Sequence, residues 1–159
     1  MTNQRSQDEE VLIDLRRTIF GNSGLANRAP VIFLADVMRW PARHWVLCID
    51  DDRAGFQVAW INNHVIGIVS VDTNADTPFE ASVHPLGTIE RVELAGKAVS
   101  DFSKVRVART VTVHFAGSSI SIHNAAQDEQ LEDFAEAVLA TLSREVDFSD
   151  SNPPPGDTR

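Results

Sequence analysis

Two histidines nine residues apart, His114 and His123, flank a Gly117-Ser118 dipeptide in a stretch where apolar and polar residues alternate. If that dipeptide is the turn of a hairpin, Thr112 faces His123 and His114 faces Ser121. Both imidazoles then share the polar face, within reach of one another. Such a pair could serve a metal or acid–base chemistry, but zinc there needs a third protein ligand from elsewhere. A solvated strand face carries the same residue types, and that plainer reading is preferred. The run Asp50-Asp51-Asp52 before Gly55 begins like a calcium loop. Its twelfth position is Ile61, where the ion needs a bidentate acid, so a solvated turn is expected instead. Cys48 is the only cysteine, set among Trp45, Val46, Leu47 and Ile49 as a small hydrophobe rather than an activated thiol. There is no Gly-x-Ser-x-Gly elbow, and Gly21-Asn22-Ser23-Gly24 lacks the lysine of a phosphate loop. Neither a catalytic residue nor a cofactor is expected. The remaining cluster is Arg39, Trp40 and Arg43. An exposed indole beside two guanidinium groups would suit a binding hot spot, unless Trp40 covers one end of the fold.

The elements that would carry these residues are clearest at the C-terminal end. Residues 105–115 and 119–123 alternate as two strands, with Val107, Val111, Val113, Phe115, Ile120 and Ile122 on a shared core face. Arg109 falls on that face, which predicts a bulge or a barrel-end position there. Leu131, Phe134, Ala135, Val138, Leu139 and Leu142 then form the apolar stripe of a helix over about 125–145, capped by Asn124 with Gln127. Asp128, Glu129, Glu132, Asp133 and Glu136 lie opposite. Acid in the first turn suits the helix dipole, and Arg144 suits its far end.

Earlier in the chain, Ser6 and Glu9 have capping-box spacing ahead of Val11, Leu12, Leu15 and Ile19, and Gly21 is placed to stop that helix. Its stripe is narrow, and packing on its own domain is expected. Residues 22–29 read as a linker. Residues 31–38 are apolar enough for a buried strand or a short helix. Strands are predicted over 45–50, 56–61 and 64–71, with Asn62-Asn63 as a tight turn because asparagine tolerates positive φ. Residues 72–85 read as a polar loop, 86–94 as a strand and 96–104 as a loop. The organisation is an N-terminal helix and linker over 1–29, a β domain with its closing helix over 30–146, and a disordered tail over 147–159.

At 159 residues the chain can bury one sizeable core. The formal charge is −9, with Lys97 and Lys104 the only lysines. Polyanionic phosphate backbones and anionic lipid surfaces both demand clustered positive charge, so no nucleic-acid partner is expected and peripheral lipid binding is disfavoured, although the spread of the arginines leaves room for a local basic patch. No signal-like leader and no apolar run of membrane-spanning length is present, which makes a cytoplasmic setting the expectation.

Seven candidate strands followed by one amphipathic helix resemble, in order, the bacterial pleckstrin-homology-like (PH-like) families. The tract from Trp45 to Arg53 is similar to their second strand and turn. His84-Pro85-Leu86-Gly87-Thr88-Ile89-Glu90-Arg91-Val92 is similar to the lead-in of their fifth strand. The resemblance implies a mainly β, two-sheet orthogonal barrel of seven strands capped by the C-terminal helix, with an extra N-terminal helix. It implies binding rather than catalysis. The partner would be a peptide or protein, or another copy of the chain, docked at a strand edge or beside the helix. Lipid-binding relatives use basic residues near the first strands, a pattern that Arg39 and Arg43 do not complete. The alternatives are a small metal-dependent or acid–base enzyme using His114 and His123, and lipid-headgroup binding.

Overall fold

The computed structural model describes residues 2–21, 28–50, 55–72 and 74–149. Helix α1 (Thr2–Leu15) continues into a π-helical turn (Arg16–Phe20), and α2 covers Arg28–Met38. Among the described residues seven strands follow: β1 (His44–Asp50), β2 (Gly55–Ile61), β3 (Val65–Asp72), β4 (Phe79–Pro85), β5 (Ile89–Asp101), β6 (Lys104–Phe115) and β7 (Ser118–Ile122). Helix α3 (Asp128–Ser149) closes the order. The strands form two antiparallel sheets, β1-β2-β3-β4 and β5-β6-β7, and neither closes on itself. Among the described residues no helix is long and apolar enough to cross a membrane.

The first sheet is covered on both faces, and its sequence shows why. Val46, Cys48, Ala59, Ile61 and Ile66 point inward and share a core with Val111, Val113, Phe115, Ile120 and Ile122 of the second sheet and Leu131, Phe134 and Val138 of α3. The alternate residues Leu47, Phe56, Val58, Trp60, Val69 and Val71 point the other way. They pack on Leu15, Ile19, Phe20, Val31, Leu34 and Met38 of the N-terminal helices. A strand buried on both faces cannot alternate in polarity, so Val58-Ala59-Trp60-Ile61 is an unbroken apolar run. Helix α3 packs against β1 and β2 of one sheet and β5 and β6 of the other. The sheets approach where the segment after β7 meets β1. The Ile49 amide donates to the Asn124 carbonyl (3.3 Å) and the Ala126 amide to that of Leu47 (2.8 Å).

The strand count agrees with the sequence reading, but one member was exchanged. Residues 31–38 belong to α2: Pro30 suits a first helical turn, and Val31, Leu34 and Met38 are buried at helical intervals. The predicted loop over 72–85 contains β4, whose mostly exposed side chains carry no apolar pattern and whose place is set by pairing with β3. The tract beginning at Trp45 is thus the first strand of the chain. The predicted loop over 96–104 is the outer part of a long β5–β6 hairpin. Strand β5 begins at Ile89, after a 3-10 turn over Leu86–Thr88. Ser6 and Glu9 lie inside α1, which starts at Thr2 rather than at a capping box. Gly21 does end the N-terminal helical run, at φ +55°, with its amide bonded to the Arg17 carbonyl. The β2–β3 reversal depends on the Asn62 side chain rather than on positive φ: Asn62 Oδ1 accepts from the amides of His64 and Val65, each at 2.9 Å. Helix α3 starts at Asp128, three residues late, because 124–126 pair with β1. It runs to Ser149, so 147–149 are helical. The linker over 22–27, the acidic turn over 51–54 and the tail over 150–159 lie outside the described residues.

Candidate functional site

The most developed surface feature lies between the β5–β6 hairpin and α3. Near the hairpin's base Val92 opposes Val113 and Leu94 opposes Val111, and Val92, Val111 and Val113 continue the core. Further out the same face carries Gly96 opposite Arg109, Ala98 opposite Val107 and Ser100 opposite Val105. Helix α3 runs beside part of this stretch without closing on it. Leu94, Val107 and Val105 are therefore 58%, 52% and 76% exposed, and Phe102 at the tip is fully exposed. Val107 is thus not the core residue its alternation predicts. Between this arm and α3 runs a groove of about 370 Å³, walled by Leu94, Val107 and Val111 on one side and Leu131, Ala135 and Leu139 on the other. A Cβ at position 96 would sit 3.0 Å from Val107 Cγ1, so glycine lets the two strands' side chains close that wall.

Arg109 explains the polar position on this otherwise apolar face. It makes neither a bulge nor a barrel end; the ladder irregularity lies between Ile89 and Arg91. Its guanidinium reaches across the groove to an ion pair with Glu132 of α3. Both partners are about half exposed. The pair therefore orients the arm on the helix more than it stabilises the fold.

The Trp40 and Arg43 side chains engage different elements. The Trp40 indole N–H donates to Asp14 Oδ2 of α1 at 2.8 Å, and its ring packs against the outer core. Arg43 Nη1 donates to Asn63 Oδ1 at 3.4 Å, beside a small pocket of about 80 Å³ that includes Ala137 and Thr141 of α3. Arg39 is exposed, with φ +52° after α2.

The histidine pair is not formed as the spacing predicts. The turn is Ala116-Gly117, with Gly117 at φ +78°, so Thr112 faces Ser121 and His114 faces Ser119. The Thr112 and Ser121 hydroxyls are 3.0 Å apart. His123 lies beyond the end of β7, four residues further along the ladder from His114, or about 13 Å at the usual strand rise. His114 Nε2 instead lies 3.0 Å from Glu93 Oε2, and Arg91 Nη2 lies 3.1 Å from the other Glu93 oxygen. The His114 hydrogen bond and then the Arg91 charge hold the Glu93 carboxyl below its ordinary range. Among the described residues no three His, Cys, Asp or Glu side chains are placed to hold a metal ion. Cys48 is buried in the inner core, and desolvation pushes its thiol up to about 11, against a smaller opposing effect of a backbone hydrogen bond at His123.

The groove escaped the sequence reading, although two signals pointed to it. The apolar register of β6 runs on past the part that α3 covers, and a lone arginine interrupts it opposite an acidic helix. Comparison of the chain with protein-family models, with curated proteins and with solved structures gives no match.

Proposed function

We propose that this protein is a non-catalytic interaction module that docks a peptide or protein segment in the groove between the β5–β6 arm and α3. The observation that carries the reading is the apolar wall itself: Leu94, Val107 and Leu139 stay exposed on facing sides of one cleft. Scattered exposed apolar residues need no explanation, but a contiguous set rimmed by charge marks a docking surface. An extended segment entering there can add apolar contacts along the groove, with Glu136 at the rim to steer a basic flank. The four-plus-three strand order and the terminal helix support a PH-like reading of the fold, which favours binding over chemistry. The Arg39–Trp40–Arg43 loop is less suited, because the indole is held against α1.

Selection from a random peptide display library tests this. Peptides enriched on the intact chain should lose at least tenfold in affinity on Leu139→Glu, with an unchanged melting temperature. Retention on Leu139→Glu, combined with loss on Trp40→Ala/Arg43→Ala, would move the site to the 39–43 loop.

A further inference from the structure

Charge is sorted along this molecule in a way that the docking groove alone does not explain. Residues 94–111, the arm, hold Lys97, Lys104, Arg106 and Arg109 against the single acid Asp101, a formal +3 in a chain whose total is −9. Both lysines of the protein are there. The first turns of α3 carry Asp128, Glu129, Glu132, Asp133 and Glu136, all exposed, and no cation precedes Arg144. The arm is also two-faced. Ala98, Val105 and Val107 lie on the groove side, while Lys97, Lys104 and Arg106 lie on the other.

We infer that the occupant of the groove is the arm of a second copy of this chain, related by a two-fold axis, so that each arm lies in the other's groove. The inference rests on the reading of that groove as a docking site. A two-fold contact brings the same patch of both copies together, so the patch must be self-complementary. The arm's apolar face meets that condition. Its one cation, Arg109, is already ion-paired with Glu132 of its own chain, so like charges are not forced together. The remaining charges are complementary in sign, a formal +3 on the arm against the five acids in the first turns of α3. Reach is sufficient: the seven residues beyond Leu94 extend about 23 Å at the strand rise, against about 12 Å of helix between Leu131 and Leu139. A hairpin face that long and about 10 Å wide, plus a groove wall, gives an interface near the lower end of specific ones, which sets the concentrations for the test.

Sedimentation equilibrium of the full chain, from about 5 to 500 μM, is the experiment. The expected result is a reversible monomer–dimer equilibrium whose dissociation constant rises at least tenfold with Val105→Glu, at least tenfold with Leu139→Glu, and several-fold in 0.5 M sodium chloride. Val105 is exposed and does not line the groove, so its substitution alters the occupant and leaves the site intact. Both variants should melt with the parent. A monomer throughout the range, or a dimer indifferent to Val105→Glu, overturns the inference. Peptide affinity measured on Val105→Glu separates the two readings. A monomer that still captures peptide, sensitively to Leu139→Glu, refutes the second copy and keeps the groove. A monomer that instead sediments with phosphatidylserine vesicles, and loses them on Val105→Glu, assigns the arm to a membrane surface and overturns the inference.

Discussion

Replacing Gly67 by alanine is a severe test of how the first sheet is packed. Gly67 lies on β3 directly opposite Trp60 of β2. A Cβ there would lie 2.3 Å from Trp60 Cζ2, 2.4 Å from Cη2 and 2.8 Å from Cε2. Those separations are far inside contact distance, so one group must move. Trp60 has nowhere to go: it is fully buried among Phe56, Val58, Val69 and the helical residues Leu15 and Leu34. Overpacking a filled core costs about 1–3 kcal/mol, only partly offset by the ~0.4–1 kcal/mol that alanine gains by restricting the unfolded chain. With ~2–4 °C lost per kcal/mol in a domain of this size, the melting temperature should fall, by up to roughly 10 °C. Urea unfolding followed by far-ultraviolet circular dichroism measures the same loss at constant temperature. Trp60→Phe removes the six-membered part of the indole that the new methyl would strike, along with an indole N–H that is buried without a partner. The double variant should therefore be more stable than the two single effects sum to, by about 0.5–3 kcal/mol. A Gly67→Ala protein as stable as the parent, or strict additivity with Trp60→Phe, would refute the packing argument.

Cys48 should react with an aromatic disulfide reagent only after unfolding, since burial removes access and keeps the thiol protonated at pH 8; rapid reaction of the native chain would contradict its place in the core. Glu93 supplies a pH dependence whose sign is fixed by its lowered carboxyl pKa. The unfolded chain binds that proton more readily, so the contribution is fully present above the ordinary carboxyl range and is lost as pH falls through the depressed native value. Carboxyl carbon NMR should show the Glu93 midpoint rising toward the ordinary value in His114→Ala, and an unmoved midpoint would remove the hydrogen bond as its cause.

Legibility in the sequence followed the number of layers a residue serves. The α3 stripe and the base of the β6–β7 hairpin each bury one face in the inner core and leave the other to solvent, so their period is legible in the sequence. Strand β4 contributes few buried side chains and is held by main-chain pairing, which leaves no periodic trace. Helix α2 presents its apolar residues so densely that strand and helix remained alternatives, although Val31, Leu34 and Met38 hold the deciding spacing. The hairpin turn lies one residue earlier than the Gly117-Ser118 dipeptide suggests, with Gly117 as its second member. That shift alone relocated His114 from Ser121 to Ser119 and set His123 apart from it. The groove depends on where α3 stops covering β6, a relation between elements that neither segment encodes alone.

All three tryptophans, at 40, 45 and 60, belong to the layer between the first sheet and the N-terminal helices, and the chain has no tyrosine. Intrinsic ultraviolet emission from this molecule is therefore a one-sided signal. It should respond when α1 and α2 lift from the sheet, and stay dark to events along the arm and α3. A binding titration followed by that emission would record silence even at saturation. Should the emission change, the perturbation has crossed the sheet, and the two cores behave as one mechanical body.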